Sequence, residues 1–190
     1  QDAEKLSGKG DTSQKLTLMK TSADSLKKSA DALNDSSLWE KKKIKKKDEK
    51  TGEEIEVEDY DWDKITKAVK SFVEDYNDVV KEAGESNTKD VLRNASWMTG
   101  MTDKNSNMLA KIGITIGKGN KLELDEDALK QADISSLKTI FTGYNSFVSK
   151  ISQKATGISN AANRASATYT NNGTYSKTDS SLTSSKIDKE

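Results

Sequence analysis

The 190-residue chain contains no cysteine, no histidine and no proline. These absences exclude disulfide bonds, zinc sites built on thiolate or imidazole groups, and catalysis by a cysteine or histidine side chain. The sequence also shows no set of acid, base and nucleophile that would converge on one substrate. We therefore expect a protein that is not an enzyme and that uses no cofactor.

A metal site would have to be built from carboxylates alone, and the sequence offers one candidate. Asp59, Asp61 and Asp63 have the alternate spacing that opens a calcium-binding loop. Lys64 stands where the turn glycine of such a loop belongs, and Lys70 stands where the bidentate glutamate belongs. We therefore predict no metal site.

The chain also lacks an excess of one charge and lacks long apolar runs. Lys+Arg 31 and Asp+Glu 31 balance, so no net field favours binding to nucleic acid or to an anionic membrane. No apolar run reaches the length that a membrane span needs. A hydrophobic fraction of 32% and a mean hydropathy of -0.84 favour an elongated domain with a thin core over a sphere.

Three stretches space their apolar residues by alternate steps of three and four, which is the heptad pattern of helices that pack lengthwise. They cover residues 16–33, 62–83 and 137–169. We expect the third to be one continuous helix of roughly 50 Å, in spite of Gly143 and Gly157. The members of the three seams, in chain order, are Leu16, Met19, Ala23, Leu26, Ala30, Leu33; Trp62, Ile65, Val69, Phe72, Tyr76, Val79, Ala83; and Leu137, Phe141, Tyr144, Val148, Ile151, Ala155, Ile158, Ala162, Ala165, Tyr169.

A charged segment separates the first two seams. A lysine-rich run at 41–47 and an acidic run at 53–61 flank a turn-prone stretch at 48–52. A β-hairpin near 40–60 would place opposite charges across its ladder, whereas the alternative is a solvated, disordered charge run. The predicted pairs are Lys43 with Glu58, Lys45 with Glu56, Lys47 with Glu54, Ile44 with Val57, and Trp39 with Trp62.

The stretch between the second and third seams predicts shorter elements. A helix is expected from Thr88 onward, and Gly100 could divide it into two pieces. Trp97 and Met101 are expected to be packing residues. Alternate apolar residues around a glycine-containing turn then predict a small β-hairpin at 112–124. Asp125 is placed to cap a short helix after it. The alternating residues are Ile112, Ile114, Ile116, Leu122 and Leu124.

These patterns together predict a mainly α protein. We expect an elongated, coiled-coil-like antiparallel bundle of about four helices, with the two hairpins attached. Residues 11–169 would form this single domain, and 40–61 would be a charged connector within it. Residues 1–10 would be a flexible start, and 170–190 would be a disordered tail rich in Asn, Gly, Ser and Thr.

The second half of the third seam is rich in alanine and has no obvious partner of matching length upstream. We therefore expect any association with other chains to occur there. The candidate assembly surface consists of Ala155, Ile158, Ala162, Ala165 and Tyr169.

Four strings in one order carry a family resemblance. They are Phe-Val-Glu-Asp-Tyr-Asn at 72–77, Leu-Ala-Lys-Ile-Gly-Ile at 109–114, Gly-Asn-Lys-Leu-Glu-Leu-Asp at 119–125, and Ile-Phe at 140–141. The chain thereby resembles the helical stalk of the bacterial flagellar filament-capping proteins, the hook-associated protein 2 family. Residues 26–39 are similar to the other stalk helix of that family, which precedes its head.

The resemblance implies a stalk without a head, because cap proteins carry bulky β-rich head domains where this chain has only residues 40–61. It implies a structural and assembly role outside the cell on the bacterial flagellum, with flagellin, hook-associated proteins or the chain itself as partners. No catalytic residue is carried over. The alternative is a secreted or cell-surface binding module, such as an adhesin or scaffold, that keeps the stalk fold without a cap role.

Overall fold

A computed structural model describes the backbone of residues 10–172 and the side chains up to residue 168. Within this range the protein is mainly helical, with two small antiparallel hairpins. Residues 173–190 of the predicted tail and residues 1–9 of the predicted flexible start lie outside the described residues, whereas the backbone of 170–172 is helical and not disordered as expected. The helices are α1 Ser13–Leu33, α2 Trp62–Gly84, α3 Lys89–Lys104, α4 Ser106–Ala110, α5 Glu126–Gln131, α6 Ile134–Phe141 and α7 Phe147–Asn172; the strands are β1 Lys42–Lys47, β2 Glu54–Asp59, β3 Ile114–Ile116 and β4 Leu122–Leu124.

The ends of α1 and α2 follow local capping rules. The Thr12 hydroxyl accepts a hydrogen bond from the backbone N–H of Lys15 at 3.1 Å, and Asp61 does the same for Lys64 at 3.1 Å. Asp61 is therefore the cap of α2. All members of the first two seams are buried except Trp62, which is half-buried against the core. The first two predicted helices are confirmed.

Helix α1 packs along both α2 and α7. Its register on α7 is fixed by two hydrogen bonds that lie seven residues apart on each helix. The Ser159 hydroxyl donates to Asp24 at 2.7 Å, and the Ser152 hydroxyl donates to Asp31 at 2.7 Å. Because the numbers rise on α1 as they fall on α7, the two helices are antiparallel. We call these four residues the polar ladder.

The third seam is not one helix, so that prediction is wrong. The chain leaves the helical conformation after Phe141 and re-enters it at Phe147, with Gly143 at a φ of 102°. This left-handed backbone favours glycine, and Asn34 fixes it from the end of α1. The Gly143 N–H donates to Asn34 Oδ1 at 2.8 Å, and Asn34 Nδ2 donates back to the Gly143 carbonyl at 3.2 Å. Tyr144, a predicted seam residue, is consequently 87% exposed.

Helix α3 continues through Gly100 and ends at Lys104, so a break at Gly100 does not occur. The interruption comes at Asn105, between α3 and α4. Trp97 is 54% exposed, so its prediction as a packing residue is wrong, whereas Met101 packs partly against the core.

The small hairpin forms as predicted, although Ile112 precedes its first strand. Strand β3 pairs with β4 in the register Ile114 to Leu124 and Ile116 to Leu122. Helix α2 holds it through Asn77, whose side chain exchanges two hydrogen bonds with the backbone of Leu122 at 2.7 and 2.9 Å. Asp125 then caps α5 by accepting from the Ala128 N–H at 3.1 Å, as expected.

The charged hairpin β1–β2 also forms, and its register is the predicted one. The ladder runs from Lys42 opposite Asp59 to Lys47 opposite Glu54, with Ile44 opposite Val57. The turn closes with Gly52 at a φ of 73°.

The pairing of Trp39 with Trp62 does not occur, because both lie beyond the ladder. Trp39 belongs to a short 3₁₀ turn and stacks on Phe141, with ring centroids 5.6 Å apart. Its indole N–H donates to the Leu33 carbonyl at 2.7 Å. Trp62 instead lies beside Tyr60, at 6.2 Å between ring centroids. The second tryptophan is thus half-buried where the hairpin meets α2.

Candidate assembly surface

The structure places most of the predicted assembly residues in the core. Ala155 and Ile158 are 0% exposed and Ala162 is 1% exposed, whereas Ala165 is half-buried. The side chain of Tyr169 lies outside the described residues. Within a single chain, this stripe of α7 is therefore covered by the protein's own helices.

The cover comes mainly from α1, whose length does match α7. The polar ladder fixes an antiparallel register in which the first turn of α1 lies beside the last turns of α7. The expectation that this half of α7 has no upstream partner is therefore wrong. Burial raises the pKa of Asp24, but hydrogen bonds from Lys20 and Ser159 outweigh it, so the carboxyl's pKa is lowered. A charged Asp24 thus favours this register.

Helix α3 covers another side of α7 at close range. A Cβ built on Gly157 would lie too close to the side-chain amide of Asn94, so glycine lets this amide pack against α7 in its present position. Asn94 is held in place because its Nδ2 donates to the Asp90 carbonyl at 2.9 Å. Gly157 therefore makes room on α7 for a side chain of α3.

The outer edge of this contact carries an aromatic ring and charges. The Lys154 ammonium lies 4.5 Å from the centroid of the Trp97 ring, within cation–π distance. Arg164 lies 3.7 Å from the Asp90 carboxylate, which also pairs with Arg93 at 3.3 Å. We call the set of Asp90, Asn94, Trp97, Lys154 and Arg164 the α3–α7 face.

Sequence reasoning missed Trp97 as a surface residue, although a signal was present. The buried stripe of α3 consists of Val91, Ala95, Met98 and Thr102. Trp97 follows Asp90 and Asn94 by steps of four and three, which places it on a polar stripe instead. A tryptophan on an otherwise polar stripe indicates an exposed ring.

Two buried polar groups stabilise the helices and are not members of the α3–α7 face. The Tyr76 hydroxyl donates to Thr102 Oγ1 at 2.8 Å and links α2 to α3. Burial raises the pKa of Tyr76 to about 12, so the phenol stays protonated. Asp11 accepts hydrogen bonds from the Ser86 hydroxyl at 2.6 Å, the Asn87 N–H at 2.8 Å and the Thr88 hydroxyl at 2.6 Å. Both groups lock helices together.

The arrangement on the α3–α7 face suits recognition of another protein. A tryptophan and an arginine on one exposed face are the residue types that often dominate binding energy at protein interfaces. Among residues 10–172, no group of three or more acidic side chains is arranged to hold a metal ion. No helix of this part of the chain is both long enough and apolar enough to cross a membrane.

The family model for the C-terminus of flagellar hook-associated protein 2 matches residues 86–190. The match covers more than half of the chain and includes every element from α3 to α7. Comparison with curated proteins gives no match. Comparison with solved structures gives none either.

Proposed function

The chain belongs to the flagellar hook-associated protein 2 family, and we propose that it is a non-enzymatic structural subunit of the flagellar cap type. The observation that carries this proposal is the family match over residues 86–190. The flagellum is an appendage outside the cell, so we place the working protein there. Helices α1 and α2 precede the matched region but pack with α7 and α3, which supports extending the role to them.

We propose that α1, α2, α3 and α7 act together as an elongated, coiled-coil-like stalk that is a single domain. The hairpin β1–β2 then stands where the resemblance places a head. Because most residues of the heptad seams are buried within the chain, partners would engage outer helix faces. Association would therefore still use the helices, but through their outer faces instead of their heptad seams.

We propose the α3–α7 face as the assembly surface. It lies along the same half of α7 that the sequence singled out, but on the outward side of the helix. Trp97 supports this choice because its ring is 54% exposed and is held by Lys154. The proposed partners are flagellin or hook-associated proteins, whose helices would bury the ring.

The test measures binding of the purified chain to sheared flagellar filaments of the producing bacterium, with electron microscopy to locate it. We expect labelled chain at filament or hook ends. Trp97→Ala should weaken binding by about tenfold or more. Leu18→Ala is the matched control, because Leu18 is 53% exposed and lies on α1.

Two results would count against these proposals in different ways. If the chain ignores filaments and hooks but captures a glycan or an unrelated surface protein, the cap-type role fails and the binding-module reading replaces it. If both variants bind filaments as well as the unaltered chain, the role stands and the α3–α7 face is excluded.

A further inference from the structure

The hairpin β1–β2 contributes no residue to the hydrophobic core of the helical part. Its apolar residues are not among those that pack against the core. Ile44 and Val57 are only partly buried, and Ile55 is 39% exposed. A two-stranded hairpin with nothing packed on it is marginally stable in water, and more strands would stabilise it.

The turn fixes which backbone groups of the hairpin are free. The Asp48 N–H donates to the Glu53 carbonyl at 2.7 Å, so this pair is hydrogen-bonded. Hydrogen-bonded and non-hydrogen-bonded pairs alternate along an antiparallel ladder. The pairs that contain Lys43, Lys45 and Lys47 are therefore of the second kind, and the N–H and C=O groups of these lysines point outward from β1. Those of Glu54, Glu56 and Glu58 point outward from β2.

The two free edges carry opposite charges. Strand β1 has five lysines and no acidic residue, whereas β2 has three glutamates, one aspartate and no basic residue. Two β1 edges would repel each other, and so would two β2 edges. We propose that β1 of one chain pairs with β2 of a second copy, which extends the sheet head to tail.

The register of such a contact is already set by the sequence. Pairing Lys43, Lys45 and Lys47 with Glu58, Glu56 and Glu54 of the second copy repeats the pairing within the chain. These six residues are the ones whose backbone groups point outward, so the new ladder uses only groups that the first leaves free. Each lysine of β1 then has a glutamate on both sides.

The charged side chains are available for this contact. All six residues are exposed, and in the described part of the chain none of them forms an ion pair within 4.0 Å. The ion pair that the hairpin does form joins Lys46 to Asp59 at 2.7 Å, on the opposite face.

The twist of a sheet, roughly 20–25° between neighbouring strands, would turn the two helical parts away from each other.

The inference is independent of any flagellar role, so its test uses the full chain alone. Sedimentation velocity over a range of concentrations should show self-association at about 0.02 M salt and its loss at about 0.5 M salt, because salt screens exposed charges. A monomer under both conditions up to millimolar concentrations would overturn the proposal.

Two proline variants separate the free edge from the hairpin's own ladder. Lys45→Pro removes an outward N–H, so hairpin contacts in NMR spectra should persist while self-association weakens about tenfold. Lys46→Pro removes an inward N–H and should abolish both. If Lys45→Pro associates as strongly as the unaltered chain, or if Trp97→Ala alone abolishes association, the contact lies elsewhere.

A charge-exchange variant tests complementarity directly. The variant replaces Lys43, Lys45 and Lys47 with glutamate, and Glu54, Glu56 and Glu58 with lysine. The two edges exchange their charges but remain oppositely charged. This variant should self-associate with the same salt dependence as the unaltered chain. Loss of self-association would show that particular side chains, rather than complementary edge charges, make the contact.

Discussion

The helical part and the charged hairpin are stabilised by different forces. In the helices, side chains such as Phe72 are fully buried and touch other rings from three elements. In the hairpin, the strands pair through their backbones and through facing charges, with no core beneath them. Salt has little effect on contacts between buried apolar side chains, whereas it screens the exposed charges of the hairpin. One chain therefore contains a part stabilised mainly by apolar burial and a part in which exposed charges play the larger role.

The largest expected effect contrasts truncations in the two parts. Phe72→Ala should lower the free energy of unfolding by about 3–5 kcal/mol, because the ring is fully buried between Tyr76, Phe141 and Phe147. Ile44→Ala in the hairpin should change it by less than about 0.5 kcal/mol. Urea unfolding followed by circular dichroism measures both. Equal losses would show that the hairpin is part of the same core.

The junction of the two parts should show an intermediate effect. Trp39→Phe removes the indole donor and leaves the buried Leu33 carbonyl without its partner, which should cost about 1–3 kcal/mol. Trp97→Phe is the control, because its exposed ring has no such bond and should change stability little. Urea unfolding compares the two variants. A negligible loss in Trp39→Phe would show that water replaces the donor.

A buried charge gives the helical part a pH dependence. Burial raises the pKa of Asp11, but three hydrogen bonds and the nearby Lys15 outweigh it, so the pKa is lowered. The folded pKa thus lies below the unfolded value of about 3.9, and the carboxylate stabilises the fold at higher pH. This stabilisation is lost as the pH falls through the folded pKa. Asp11→Asn should cost about 1–3 kcal/mol at neutral pH and progressively less in acid, as measured by urea unfolding.

Asp75 should show the opposite sign and a smaller effect. Burial raises the pKa of Asp75, and repulsion by Asp78 and Glu74 adds to it, although the Ser29 hydroxyl opposes the shift. Its charged form therefore destabilises the fold above the folded pKa. Asp75→Asn should leave stability at neutral pH unchanged or raise it by less than about 1 kcal/mol. A loss like that of Asp11→Asn would contradict this assignment.

A small and local effect is expected when the ion pair of the hairpin is removed. Lys46→Ala removes the exposed pair with Asp59 and should change the free energy of global unfolding by less than about 1 kcal/mol. Amide hydrogen exchange should become faster in β1 and β2 only. Faster exchange in α1 or α2 would show that the hairpin and helices open together, which would remove the distinction between the two parts.

Sequence reasoning was accurate where the determining residues are neighbours. The register of β1–β2 follows from facing charges and a short turn, and the start of α5 follows from Asp125, which caps an N–H three residues ahead. Sequence reasoning failed where a residue far along the chain determines the local backbone conformation. Gly143 is held by Asn34, 109 residues away, so the heptad spacing across that glycine predicted a helix that does not form.

The prediction of the assembly surface was wrong for a related reason. Small residues at Ala155 and Ala162 were read as an open surface, yet small side chains also allow helices to approach closely. The polar ladder that places α1 over them consists of aspartate and serine, and a search for regularly spaced apolar residues does not consider these. Seven-residue spacing of Asp24 and Asp31, matched by Ser152 and Ser159, was the available signal. It could have indicated which helices are partners.

The antiparallel run of α1 and α7 also has a topological consequence. The first turn of α1 and the last turns of α7 lie at one end of the helical part, while the hairpin leaves from the end where α1 stops. Because Lys42 and Asp59 are direct partners across the ladder, the chain departs and returns at almost one point. The hairpin is thus an exchangeable module: another folded unit with adjacent termini could take its place without changing the path of any helix.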